Sequence, residues 1–209
     1  MKVRTEARRE AIVAEAKRLF LELGYERATM TELTRRLGGS KATVYGYFSS
    51  KQELFIAVTQ AMAETHLEGA MAELQTLAYG NIETGLMKFG SRLIQLLSDD
   101  ESIAMQRVTI SESGRSEVGN IVAEFGPGRC KNVLSNAFQD AMNLGKMERG
   151  PADVLATQFL GLVQSEILLR TFLRHPPRLK AAEIHAMAGR AVRLFLHGYR
   201  AVAIPSEAT

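Results

Sequence analysis

The residues best suited to polar chemistry lie between positions 41 and 51, where ammonium and hydroxyl side chains alternate with small residues. The set comprises Lys41, Ala42, Thr43, Tyr45, Gly46, Tyr47 and Lys51. Ammonium and hydroxyl groups donate hydrogen bonds to phosphate oxygens, and lysine and threonine also contact base edges in a major groove. Small residues allow a close approach. These residue types indicate contacts with a nucleic acid.

A short helix is predicted before this set. Thr29 is a favourable N-cap, and Glu32 three residues later can reach back to it, which makes a capping box. Leu33 and Leu37 recur four residues apart and give the helix one apolar stripe. Gly38 and the glycine after it end the helix, because glycine adopts the left-handed conformation that a helix C-terminus requires.

A second short helix, about residues 41–48, is predicted to begin after the N-cap Ser40, with Val44 and Phe48 as its buried stripe. A helix, a glycine turn and a helix form a helix-turn-helix. Its second helix would enter a DNA major groove and contact base edges with its N-terminal residues. Thr29 and Ser40 complete the predicted DNA-binding set. The alternative is a helical hairpin whose tyrosines and lysines only cover its surface.

Charge is distributed unevenly along the chain. Residues 1–51 hold 11 Lys and Arg against 6 Asp and Glu, a balance of +5, whereas the remaining 158 residues hold 15 against 17. Basic charge therefore coincides with the helix-turn-helix, as expected of a DNA-binding module.

The region around the helix-turn-helix resembles the TetR family of bacterial transcriptional regulators. The resemblance covers about residues 8–58 and rests on Gly24-Tyr25, Ala28-Thr29, Glu32-Leu33, Gly38, Ser40, Thr43, Tyr45, Phe48, Lys51, Glu53 and Leu54. It implies a transcriptional regulator that binds a double-stranded DNA operator as a homodimer.

Helical periodicity continues through the rest of the chain, which predicts an all-α protein. A first helix is expected over residues 6–23, ended by Gly24, and Ser50 with Glu53 forms a second capping box that opens a helix to about residue 77. A further helix is expected from Pro151 to about residue 174. The predicted domains are a three-helix DNA-binding domain at residues 1–49 and a helical effector-binding and dimerisation domain at residues 50–209.

The second domain carries a further resemblance, over about residues 110–173, to the C-terminal domain of AefR-like members of the same family. It rests on Phe125-Gly126-Pro127, Arg129, Gly145, Met147, Pro151, Ala152, Phe159 and Gly161-Leu162. TetR-like regulators use this domain to dimerise and to bind a small effector, often apolar or amphipathic, and several control efflux genes.

Apolar residues of the central helices are the candidates for an effector pocket, together with an acidic residue that lies among apolar neighbours. The candidates are Met105, Phe125, Phe138, Phe159 and Glu166. Glu166 can alternatively face a dimer partner or solvent. The predicted dimer interface is formed by the last two helices, through Leu169, Val192, Phe195 and Tyr199.

Other classes of protein find little support in the sequence. The four histidines lack metal-ligand spacing, and we expect no catalytic site, metal or cofactor. The single cysteine, Cys130, is either a small buried side chain or a redox sensor. No stretch approaches the roughly 18 apolar residues of a membrane span, and the charged N-terminus favours a cytoplasmic protein. An architectural DNA-binding protein without an effector remains the alternative function, ahead of an enzyme.

Overall fold

The computed structural model describes residues 5–75, 77–114 and 117–199, apart from the side chains of residues 65–68, 73, 75, 121 and 125. Every regular element within these ranges is helical, which confirms the predicted fold class. The α-helices of the described chain are α1 (Glu6–Arg27), α2 (Met30–Arg36), α3 (Lys41–Tyr47), α4 (Lys51–Gln75), α5 (Ile82–Ser98), α6 (Asp100–Glu112), α7 (Val118–Ala123), α8 (Arg129–Asn143), α9 (Ala152–Gln164) and α10 (Ala181–Tyr199). None of these described helices is long and apolar enough to cross a lipid bilayer.

Helix α1 has a break in its last turns. Gly24 has a φ of 74°, a conformation that only glycine adopts at little cost, and one more turn then carries the helix to Arg27. The regular part of α1 therefore stops where the sequence predicted. At the other end, the Thr5 hydroxyl accepts the backbone N–H of Arg8 at 3.3 Å and caps the helix.

The helix predicted from Pro151 to residue 174 is shorter than expected. Helix α9 ends at Gln164, and the chain continues as a 3₁₀ turn over Leu168–Phe172. The backbone tightens because the N–H of Ser165 bonds to the carbonyl of Leu162 at 3.3 Å, three residues back, and the Ser165 hydroxyl donates to the same carbonyl at 2.7 Å. The apolar residues predicted to lie along one long helix are thus divided between α9 and the 3₁₀ turn.

The helices pack into two compact units. The first unit comprises residues 1–65 and 99–128, and the second unit comprises residues 66–98 and 129–209. An aromatic trio lies in the core of the first unit. The ring of Phe55 meets Phe20 and Tyr25 edge-on, with centroids 5.0 and 5.2 Å apart. Edge-to-face contacts of this kind add to the free energy gained by burying the rings.

The core of the first unit also contains residues from far along the sequence. Met105 of α6 and Val118 of α7 are buried there, together with the apolar stripes of α1 to α4. Lys17 of α1 and Glu101 of α6 add an ion pair of 2.6 Å. The unit thus extends past the boundary that the sequence predicted at residue 49. A three-helix domain of that size buries a small fraction of its surface, and α6 and α7 enlarge the buried area.

The second unit has its own aromatic core. The ring of Phe195 lies 5.1 Å from the centroids of both Phe138 and Phe159, and Phe89 lies 6.3 Å from Phe159. All four rings are fully buried. Helices α5, α8, α9 and α10 therefore share one packed interior.

The burial of Met105 in the core of the first unit is testable by substitution. Met105→Ala should lower the free energy of unfolding by about 2–5 kcal/mol, because it removes a buried side chain and leaves a cavity in the first unit. Denaturant titration measures the loss. The matched control is Ile110→Ala on the same helix, which should change stability by less than about 0.5 kcal/mol because Ile110 is exposed. Equal stabilities of the two variants would contradict the burial of Met105 in this core.

Candidate nucleic-acid interface

Two short helices and the turn between them carry the residues predicted to contact DNA. The Thr29 hydroxyl accepts the backbone N–H of Glu32 at 3.1 Å and caps α2. The Ser40 hydroxyl accepts the backbone N–H of Thr43 at 3.1 Å and caps α3. Gly38 turns the chain between the two helices with a φ of 61°, which favours glycine. The predicted helix-turn-helix is therefore confirmed, with both N-caps in place.

The burial of α3 decides which of its residues face outward. Val44 and Phe48 are 0% and 2% exposed, so one side of the helix is held in the core of the first unit. The outward set comprises Lys41, Ala42 and Tyr45, which are exposed, and Thr43, Gly46 and Tyr47, which are half-buried. These are the residues of α3 that the sequence predicted to meet DNA, and none of them is fully buried, although Tyr47 also packs against the core.

Contacts within the first unit order several of these side chains. The Lys41 ammonium lies 5.7 Å from the centre of the Tyr45 ring, a cation–π contact across one helical turn. The Tyr47 hydroxyl oxygen accepts the backbone N–H of Thr5 at 2.9 Å and so ties the start of α1 to α3. A phenol that accepts one hydrogen bond keeps its own hydrogen for a phosphate oxygen.

Lys51 has partners that the sequence did not indicate. Its ammonium donates to the backbone carbonyls of Tyr25 and Glu26 at 3.0 and 3.3 Å, and it lies 4.2 Å from the centre of the Tyr25 ring. Carbonyls at a helix C-terminus lack helical partners and attract cations. The structure therefore has Lys51 joining the start of α4 to the end of α1, and its role as a phosphate contact stays a prediction.

Each of the two predicted capping boxes has one of its two hydrogen bonds, the one accepted by the N-cap hydroxyl, while the glutamate carboxylate bonds elsewhere. Glu32 donates its backbone N–H to Thr29, but its carboxylate pairs with Arg35 at 2.7 Å and Arg36 at 3.0 Å, and these hydrogen bonds lower its pKa to about 2. The hydroxyl of Ser50 caps the N–H of Glu53 at 3.0 Å. The Glu53 carboxylate in turn accepts the hydroxyl of Ser49 at 2.8 Å and its backbone N–H at 2.6 Å, and these bonds lower the pKa of Glu53.

An ion-pair cluster holds α2 against α1. The Arg36 guanidinium lies 2.7 Å from Glu22 and 3.6 Å from Glu15, both on α1, and 3.0 Å from Glu32 on its own helix. A guanidinium with several fixed donors suits this bridging role. Sequence reasoning missed the cluster. The spacing of Glu32 and Arg36 at i, i+4 signals the local pair, but nothing in the sequence signals the two partners on α1.

Comparison with known families agrees with this geometry. The family of bacterial regulatory proteins called tetR matches residues 12–58, and the AefR-like transcriptional repressor C-terminal domain matches residues 84–201, more than half of the chain. The chain belongs to the TetR family. Both resemblances predicted from the sequence are confirmed.

Individual relatives extend the comparison. The activator FasR of Mycolicibacterium smegmatis is 38% identical over 69 residues, which are 33% of this chain and 32% of FasR, so the chain spans about a third of that relative. A putative TetR-family regulator from Mesorhizobium loti is 26% identical and superimposes with a TM-score of 0.78 over 94% of this chain and 100% of its own. SmeT in complex with triclosan shares the fold, with a TM-score of 0.64, 20% identity and 98% of each chain covered.

The predicted effector residues of this TetR-family chain do not form one group. Phe138 and Phe159 meet edge-on in the second unit, with centroids 6.2 Å apart. Met105 belongs instead to the core of the first unit. The side chain of Phe125 lies outside the described residues. An apolar stripe shows which side of a helix is buried, but it does not show which neighbouring helix covers that side.

Glu166 has a defined partner. Its carboxylate accepts two hydrogen bonds from the Arg190 guanidinium of α10, at 2.8 and 2.5 Å, and both side chains are exposed. These bonds lower the pKa of Glu166. The turn after α9 moves Glu166 off the apolar stripe on which the sequence had placed it, and the pair accounts for its charge without a ligand.

The predicted dimer residues also fall into two groups. Val192 and Phe195 are 0% and 1% exposed because they pack into their own unit, so neither presents a surface to another subunit. Leu169, by contrast, is 71% exposed. Tyr199 donates its hydroxyl hydrogen to the Gln158 side chain at 2.5 Å, which links the ends of α10 and α9. The inward stripe of α10 was mistaken for an outward one, because periodicity alone does not distinguish them.

Cys130 is buried on α8. Burial raises the pKa of its thiol to about 11, so the thiol stays protonated at neutral pH. A protonated thiol is a poor nucleophile and reacts slowly with oxidants. The sequence left two roles open for Cys130, packing and redox sensing. Its burial favours packing.

The role of Lys51 is testable through salt dependence. Lys51→Met should leave the slope of log affinity against log salt unchanged, because the ammonium is held by backbone carbonyls. The matched control is Lys41→Met, which removes an exposed cation and should reduce the slope by about 0.9 per subunit. Titrations of operator DNA at several salt concentrations measure both slopes. A reduced slope for Lys51→Met would restore its role as a phosphate contact.

Proposed function

We propose that this TetR-family protein is a homodimeric repressor of a palindromic operator, released when a small apolar or amphipathic effector binds. The observation that carries the proposal is the outward face of α3, where Lys41, Ala42 and Tyr45 are exposed above the buried Val44 and Phe48. The match to an AefR-like repressor domain supports repression rather than activation. The protein acts in the cytoplasm, where bacterial DNA lies.

Helix α3 enters the major groove with its N-terminal residues at the base edges. Lys41 contacts a guanine or a phosphate, and small Ala42 and Gly46 allow the helix to approach closely. Tyr45 and Tyr47 donate their hydroxyl hydrogens to phosphate oxygens. Thr29 and Ser40 add hydroxyl contacts to the backbone at the starts of α2 and α3. The backbone contacts fix the register of the helix on DNA and carry no sequence information themselves.

A second copy of the chain covers an apolar surface of the second unit. The candidate residues are Leu168, Leu169 and Phe172 of the 3₁₀ turn, 60%, 71% and 78% exposed, and Leu194 of α10, 63% exposed. The Glu166–Arg190 pair joins the chain just before this turn to the helical turn of α10 that precedes Leu194. Large apolar side chains that cluster on a surface are typical of interfaces. A short recognition helix also reads few base pairs, and two half-sites one helical turn apart require paired domains.

Leu194→Glu should convert the dimer to a monomer with weak operator binding, since it places a charge in the apolar interface. Sedimentation and circular dichroism should show a halved mass with unchanged helicity. The control is Tyr79→Glu, which alters an equally exposed residue of the same unit outside this surface and should leave the dimer intact. Phe195→Glu does not serve as a test, because a charge in the buried aromatic core would unfold the unit. A dimeric Leu194→Glu protein would exclude this surface.

The effector binds in the second unit, close to Phe138 and Phe159. Ligand sites are mostly apolar with few polar groups, and aromatic faces and edges suit apolar or amphipathic compounds. Support comes from the AefR-like match over this region and from the fold shared with SmeT, which binds triclosan. Efflux genes are candidate targets, in keeping with the known roles of several TetR-like regulators.

Reciprocal coupling between effector and operator tests the whole proposal. A compound found by its thermal stabilisation of the protein should bind about 5- to 150-fold more weakly when operator is present, and operator affinity should fall by the same factor. Calorimetry with and without operator measures the first effect, and a DNA titration measures the second. Equal affinities in both conditions would favour an architectural DNA-binding protein without an effector.

A further inference from the structure

Two hydroxyl groups contact each other at the start of α3. The Ser40 and Thr43 hydroxyl oxygens lie 2.9 Å apart, and the Ser40 oxygen also accepts the backbone N–H of Thr43 at 3.1 Å. Ser40 is exposed, whereas Thr43 is half-buried. The pair therefore lies at the end of α3 that the proposed function places in the major groove.

This contact fixes the orientation of the Thr43 side chain. A threonine Cβ carries one hydroxyl and one methyl group, and its staggered rotamers place the two groups in different directions. Because the hydroxyl points back to Ser40, the methyl group takes another position. Either hydroxyl can donate in the Ser40–Thr43 bond. When Thr43 donates, the exposed Ser40 keeps its hydrogen for a phosphate oxygen, and Thr43 has none left for a base.

We infer that Thr43 reads a thymine in each half-site through its methyl group, while its hydroxyl serves to hold Ser40. The C5-methyl of thymine is the apolar feature of the major groove, and the methyl of threonine is a suitable partner for it. The neighbouring Ala42 allows close approach, and the Lys41 ammonium lies over the Tyr45 ring one turn away. The inference rests on the proposed role of α3 as the recognition helix.

Uracil substitution tests the inference, because deoxyuridine differs from thymidine only by the missing methyl group. DNA that binds wild-type protein is first selected from a random pool, and each thymine of one half-site is then replaced singly. Wild-type protein, Thr43→Val and Thr43→Ser are titrated against each duplex. Valine keeps a methyl at the position and removes the hydroxyl, whereas serine keeps the hydroxyl and removes the methyl.

At one thymine, uracil should weaken binding of wild type and Thr43→Val by about threefold to fivefold, the effect of exposing one methyl group. The same replacement should leave Thr43→Ser unaffected. A uracil scan without effect on the wild type would overturn the inference, as would discrimination by Thr43→Ser but not by Thr43→Val, which would make the hydroxyl the reader. Failure to select any DNA would instead overturn the proposed function.

Circular dichroism of both variants separates readout from folding. Both should keep wild-type helicity, because the Ser40 hydroxyl still caps the backbone N–H at position 43. At the selected site, Thr43→Ser should bind more weakly than wild type by about the square of the factor that one uracil produces, because the variant loses the methyl contact in both half-sites.

Discussion

Burial of one side of α3 is the constraint on which the proposed DNA-binding surface depends. A helix of seven residues is far too short to be stable alone in water, so Val44 and Phe48 hold it through their contacts with the core of the first unit. The same burial selects the residues that face outward. A change that loosened this core would disturb the recognition surface without altering any residue on it.

The core beneath α3 is assembled from distant parts of the sequence. Met105 and Val118 complete it, although more than fifty residues separate them from α3. The Lys17–Glu101 pair and the Arg36 cluster add polar contacts around it. The helix-turn-helix is therefore one surface of a larger packed unit, and its stability depends on α6 and α7 as well as on its own helices.

The elements of the helix-turn-helix were predictable because their signals are local. Thr29 and Ser40 cap helices through hydrogen bonds three residues away, so residue type and spacing suffice. The roles that were not predictable depend on tertiary neighbours. The partners of Lys51 lie some 25 residues earlier in the sequence, and the stripe containing Phe195 faces its own unit. Hydrophobic periodicity identifies a buried side but does not identify what buries it. For the same reason, Glu166 was placed on an apolar face rather than beside an arginine.

The ion pairs of the first unit change how its positive charge acts at a distance. Residues 1–51 carry 11 lysines and arginines, and Lys17, Arg18, Arg35 and Arg36 are each paired with a glutamate. Paired cations displace few counterions from a DNA backbone, so these four side chains add less to sequence-independent attraction than their number suggests. On the proposed DNA-binding role, residence at a site then depends more on base contacts than on these four cations.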